Sequence, residues 1–284
     1  VHLGFTSMNT AEDLPPDELG RALEARGYES VWFGEHSHIP VERRTPYPAG
    51  GEMPDMYRRM MDPFLSLAMA ASATTRLRIG TGVALPLEHD LFQLAKQVAT
   101  LDRLSGGRLL FGVGAGWNRE ELANHRAIPW AARYRALREA VGALRSLWCD
   151  EESSFHGDFV AFDPVWSFPK PLQSPHPPLL AGMSGRVGVR EAIAWADAWM
   201  PMDVALGDVA EALARFRALA AEAGRPDLPV TIVTFRDPDP DTLLRLRDLG
   251  VERVVIGANR EGWDDPATTL GYLDRYAELV PRVA

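Results

Sequence analysis

The 284 residues carry 30 basic and 39 acidic side chains, a formal charge of −9, and 46% of them are hydrophobic. That composition supports a large core, excludes a disordered chain, and argues against nucleic acid or an anionic membrane as the main partner. One cysteine, Cys149, excludes an internal disulfide and a thiolate-rich metal site. Lying beside Trp148 at the end of an apolar helix, it is expected to be a buried thiol. No apolar stretch is long enough to span a membrane and no basic–apolar leader opens the sequence, so a soluble, cytoplasmic protein is expected.

In chain order the apolar runs predict eight buried strands: His2–Thr6, Ser30–Phe33, Leu77–Ala84, Leu109–Val113, Pro178–Ala181, Ala198–Pro201, Val230–Thr234 and Arg253–Ile256. Helices fall between them. Pro15 and Pro16 sit in a first turn, where a missing amide costs nothing, ahead of a stripe made by Leu19, Ala22 and Leu23. Asp62-Pro63 reads as an N-cap followed by proline at the first helical position. Phe92, Leu94, Ala95, Val98, Ala99 and Leu101 recur at helical spacing until Ser105-Gly106-Gly107 stops them. Leu206, Val209, Leu213, Phe216 and Ala220 make a later stripe, and Leu273, Tyr276 and Val280 mark the last helix.

Two distant segments align: Leu23 to Gly34 lies over Leu246 to Gly257, each a helix end, a glycine cap, an apolar residue and a short strand stopped by glycine. Recurrence of one helix–strand unit at both ends of the chain favours a closed array. The expected fold is therefore α/β, a single (β/α)8 TIM barrel over residues 1–284, with insertions after strand two (Ser37 to Met61) and before strand five (Phe155 to Pro177). An open doubly wound sheet is the alternative. The second insertion, with Phe155, Phe159, Phe162 and Trp166 among its prolines, reads as a hairpin and a stiff return.

Barrel sites gather at the carboxyl ends of the strands. Those ends offer Ser7 and Met8, Glu35 and His36, Gly82 to Leu85, Gly114 to Trp117, Gly182 to Arg186, Met202 and Asp203, Arg236, and Ala258 and Asn259. Carboxylate pairs and Schiff-base lysines are missing from these ends, which suits a cofactor that brings its own reactivity. Gly182-Met183-Ser184-Gly185-Arg186 joins a strand to a helix N-terminus, where free amides, a hydroxyl and a guanidinium could receive a phosphate. His36 and His38 have the spacing of a hydrolase metal motif, but later strand ends supply no histidine, so no metal is expected. His36 is the candidate catalytic residue, since histidine titrates near neutrality and can donate to a ring. Tyr47, Met53, Met56 and Tyr57 are candidates for a substrate wall. His89, His125, His156 and His176 are assigned to structure, and Trp195 and Trp199 to the core.

Taken together, Gly27-Tyr-Glu-Ser-Val-Trp-Phe-Gly-Glu-His36, Ile79-Gly-Thr-Gly-Val83, Ala95-Lys96, Leu101-Asp-Arg-Leu-Ser-Gly-Gly-Arg108, Gly112-Val-Gly-Ala-Gly-Trp-Asn-Arg-Glu-Glu121 and Pro169 to Pro178 resemble the bacterial luciferase-like flavin and deazaflavin oxidoreductases. The pattern is most similar to the actinobacterial branch using the deazaflavin coenzyme F420. The resemblance implies a cis peptide at Gly82–Val83 behind the cofactor ring and His36 near the ring. It also implies amides of Gly114, Ala115 and Gly116 along the cofactor chain, and a phosphate site from Gly182, Met183, Ser184, Gly185 and Arg186, with Ser7 on the same rim. Luciferase-type members carry a phosphate-binding arginine where this chain has Ala115, and deazaflavin sugar-phosphate dehydrogenases a glutamate. The implied activity is hydride transfer between F420 and a small organic substrate. The alternatives are an FMNH2-dependent monooxygenase binding FMN, a flavin-binding barrel without catalysis, and, third, a metal hydrolase. Barrels of this family commonly pair, so a homodimer is among the expectations.

Overall fold

The computed structural model describes residues 1–283. Eight parallel strands form the barrel, in the order β1 (His2–Ser7), β2 (Ser30–Phe33), β3 (Arg78–Thr81), β4 (Leu109–Val113), β7 (Leu179–Ala181), β8 (Ala198–Trp199), β9 (Thr231–Val233) and β10 (Arg253–Ile256). The register runs Gly4 against Ser30, Val31 against Ile79 and Leu3 against Val254. Isolated parallel bridges, Trp199 to Val230 and Met202 to Val233, join β8 to β9 and close the ring. This is the α/β TIM-barrel arrangement that the alternation of strands and helices implied, and not an open sheet.

Around it lie α1 (Pro16–Ala25), α2 (Pro63–Ser72), α3 (Leu91–Leu104), α4 (Arg119–His125), α5 (Arg133–Cys149), α6 (Gly185–Trp195), α7 (Val209–Glu222), α8 (Pro240–Asp248), α9 (Pro266–Ala277) and the short α10 (Val280–Val283). Five of these start on an aspartate whose carboxylate accepts from first-turn amides: Asp62, Asp90, Asp208, Asp239 and Asp265. Each satisfies donors that an α-helix leaves unpaired at its start. Helix-facing strand residues such as Leu3, Phe5, Val31, Ile79, Leu109 and Val254 make the main core with the helices' apolar stripes.

A second, smaller cluster fills the inside of the barrel: Trp32, Leu110, Leu180, Met200 and Val255, among others. Trp32 is fully buried, and its indole N–H donates to Ser30 Oγ at 2.8 Å. It fits because β3 carries glycine opposite: a Cβ at Gly80 would lie 2.3 Å from Cε3 of Trp32. At the floor of the barrel Arg253, 2% exposed, makes two 2.7 Å hydrogen bonds to Glu29.

Both insertions stand where expected. The segment after β2 crosses the barrel mouth, and β5 (Ser153–His156) with β6 (Ala161–Val165) forms an antiparallel hairpin. Three expectations need correction. The predicted strand Leu77–Ala84 stops at Thr81; the Gly82–Val83 peptide is cis, and Ala84 pairs again with Val113. Phe92 is 43% exposed and packs edge-on against Phe162 of the hairpin instead of the main core. Cys149 is exposed, not buried. One residue is about 100° of helix, so Trp148 turns inward, its N–H on the Ala95 carbonyl, while Cys149 faces out.

Candidate functional site

A cavity of about 400 Å³ opens at the carboxyl ends of the barrel strands. Ser7 lines it from β1 and His36 from the segment after β2; Gly82 and Val83 follow β3, Gly114, Ala115 and Gly116 follow β4, and Gly182, Met183 and Ser184 follow β7. Sequence reasoning named all of these. Gly185 and Arg186, named with them, stay off the cavity: Gly185 turns the chain with a φ of +73° and Arg186 lies exposed in the first turn of α6. Ser184 is therefore the last residue of that loop to face inward.

The floor is built by subtraction. The side chain of Val83 lies across β4 and β7, where a Cβ at Gly114 would come within 2.8 Å of its Cγ2 and one at Gly182 within 2.4 Å of its Cγ1. Two bare glycines thus hold one valine as a flat apolar platform. The walls are mostly apolar: Met8, Met60, Met200, Met202, Val233 and Phe235 come from the strand ends and loops. Of the four aromatic and methionine candidates in the long loop, only Tyr57 reaches the cavity. Tyr47 and Met56 are buried behind it, with the Tyr47 hydroxyl 3.0 Å from that of Tyr57, and Met53 lies outside the lining. Burial pushes the Tyr57 phenol well above its ordinary range, so it stays protonated.

Two features of the rim were not read from the sequence. Arg133, at the start of α5, is the one lysine or arginine lining the cavity among the described residues; its guanidinium lies 4.0 Å from the Trp130 ring centroid and 4.3 Å from that of Tyr134. Behind His36 stands a set of buried acids. Nδ1 of His36 is 2.7 Å from Oε2 of Glu121 on α4, and the Trp117 indole N–H donates to Nε2 at 3.1 Å. Glu35 accepts from the Leu85 amide at 2.6 Å and sits 2.7 Å from His89 Nε2. Burial lowers the His89 imidazole, but the hydrogen bond to Glu35 outweighs it and holds His89 above its ordinary value. Glu88, in the turn after β3, is pushed up to about 9 by burial and by the charges of Glu121 and Glu35. Glu120-Glu121 reads in sequence as the acidic first turn of a surface helix, so nothing local announced that Glu121 turns inward.

Among the described residues no group of His, Cys, Asp and Glu has the geometry to hold a metal ion, and no helix is long and apolar enough to cross a membrane.

The sequence profile described as luciferase-like monooxygenase matches residues 16–273. The chain belongs to this family. Its members include oxidoreductases and monooxygenases, and its similarities extend to both F420-dependent and FMN-dependent proteins. An uncharacterized protein of Mycobacterium tuberculosis (strain ATCC 25618 / H37Rv) is 40% identical over 283 residues, 98% of each chain. An FMNH2-dependent dimethylsulfone monooxygenase of Pseudomonas putida is 40% identical over 120 residues, 40% of this chain and 32% of the relative. In fold, the chain is similar to the coenzyme F420 dependent tetrahydromethanopterin reductase of Methanopyrus kandleri, with a TM-score of 0.76, 16% identity, and 100% and 99% of the two chains covered.

Proposed function

We propose that the cavity holds coenzyme F420 and that the protein moves a hydride between it and a small, uncharged organic substrate. The observation carrying this reading is the Val83 platform on Gly114 and Gly182, a flat apolar floor beneath a cavity ringed by backbone. The residues present fit a planar ring with an anionic tail. Ser184 caps α6 with no side-chain hydrogen bond of its own, and no acid stands in the first turn of that helix. Its hydroxyl, on the cavity side of the loop, is suited to a phosphate oxygen, with Arg133 as the cation on the same rim. When bound, F420 supplies or accepts the hydride at its reactive carbon. The protein's share is to orient the ring on Val83, to exclude water with the methionine and aromatic walls, and to exchange the accompanying proton at His36.

Alanine at 115 lacks the phosphate-binding cation of the luciferase-type pattern, which weakens the FMN reading, and lacks the acid of the sugar-phosphate dehydrogenase pattern, which speaks against that substrate class. The second reading is an FMNH2-dependent monooxygenase, favoured by the relative in Pseudomonas putida. We read the exposed Leu65 and Met69 of α2 as the meeting face of two copies, which makes a homodimer part of the proposal. Fluorescence titration of purified protein with each cofactor tests the main choice. F420 is expected to bind at least tenfold more tightly than FMN; FMN binding with no F420 binding would overturn it.

A further inference from the structure

Behind His36, two buried carboxyls and two histidines lie between the cavity and the surface, where α4 packs on the turn holding Glu88. His36 lines the cavity and meets Glu121, whose side chain is 1% exposed and whose second oxygen, Oε1, has no partner. Glu88 is 3% exposed on its side chain, and its Oε2 is likewise unpartnered. It lies directly under the cavity wall, since a Cβ at Gly116 would sit 3.5 Å from its Oε1. On the far side His125 Nε2 is 3.7 Å from Glu88 Oε2 and 2.7 Å from Ser37 Oγ, which is itself 2.8 Å from His38 Nδ1. Ser37 and His125 are exposed.

We propose that Glu88 is the proton store of this site, loaded from solvent through His125 and exchanging with His36 by way of Glu121. Buried carboxyl oxygens without partners are costly unless a proton or a function keeps them. The charges that reach Glu88 are those of Glu121 from α4 and Glu35 from after β2; α5, also packed on this turn, contributes none. His89, next in the chain, is held by Glu35, and Arg126, just past the end of α4, donates to the His89 carbonyl. The transfer balances without electrons. A proton taken up at His36 Nε2 shifts the Nδ1 proton to Glu121; Glu88 gives its own to His125, which releases one proton to water, and the Glu121 proton refills Glu88. The reverse order delivers one proton to the cavity. Glu88 touches no reacting atom here and acts only through Glu121 and His36.

The inference rests on the redox reading of the cavity, yet its test needs no cofactor. Infrared spectra of the unliganded protein should show a protonated carboxyl at pH 7 that titrates near pH 9 and vanishes in Glu88→Gln. With 15N-labelled histidine, the His36 ring signals should follow the same transition in the wild type and lose it in that variant. If Glu88→Gln does not fold, Glu88→Asp should shift the carboxyl band instead. Absence of a protonated carboxyl at pH 7, a band unmoved by either substitution, or His36 signals blind to the transition would each overturn the proposal. In the cofactor-loaded protein, Glu88→Gln is expected to lower kcat about tenfold, less than a direct general acid or base contributes because Glu88 acts through His36, with KM unchanged. Failure of both cofactors to bind would sink the proposed function while leaving the infrared and histidine results to decide the proton store.

Discussion

An indole N–H can only donate, so the 3.1 Å contact from Trp117 leaves a lone pair on His36 Nε2 and the ring proton on Nδ1, facing Glu121. A ligand atom that takes the place of the indole thus meets a proton acceptor, and His36 donates to a ring only after Nε2 has gained a proton. The sequence alone suggested a donor; the indole and carboxylate around His36 refine that role. The Glu88 carboxyl has a consequence for stability. Its folded value, about 9, lies above the ordinary 4.5, so between those values the folded state binds the proton that the unfolded chain releases. Stability then falls as pH rises through that window. Glu88→Gln should flatten the decline, raising Tm relative to wild type at pH 8 by differential scanning fluorimetry while leaving it close to wild type at pH 5.

At the level of elements, the helix starts were legible and the burial of their polar residues was not. Asp62-Pro63 announced the start of α2 by composition alone, and the Asp62 carboxylate accepts from Leu65 at 2.8 Å. The same chemistry caps α3, where Asp90 accepts from Gln93 at 3.0 Å. Asp90→Ala should cost about 1 kcal/mol in urea unfolding; a loss under a few tenths would mean that tertiary packing alone sets the start of α3. By contrast, Glu121 occupies a first-turn position that is usually solvated, and only the docking of α4 against the turn holding Glu88 buries it. Gly185 and Arg186 went the other way. Glycine followed by a cation read as ligand-binding, but the turn at Gly185 carries both out of the cavity. The inward set on that loop ends one residue earlier, a boundary that depends on backbone direction and leaves no compositional trace.

For the whole molecule, the barrel was readable because the strands are buried on both faces over most of their length and all but β1 are bounded by glycine or proline, so that the period of apolar residues carries the count. The repeat of Gly27 and Gly250, with φ of +80° and +71°, reflects the same helix-to-strand turn at both ends of the chain. Those ends meet at β1 and β10, and close by, at the floor, Arg253 pairs with Glu29. Burial raises the Glu29 carboxyl, but the Arg253 guanidinium prevails and holds it below its ordinary value. Its contribution is therefore present above the unfolded value and lost as pH falls through the folded one. Glu29→Gln should cost about 3 kcal/mol at pH 7, by depriving a buried guanidinium of its main partner, and progressively less as pH falls through the folded value; a loss independent of pH down to acid unfolding would refute the assignment. What the open end of this barrel holds decides its function. Native mass spectrometry of the protein purified from a host that makes both flavins and deazaflavin puts it to the test directly: a mass increment equal to F420 is the expected result, and an increment equal to FMN alone would contradict it.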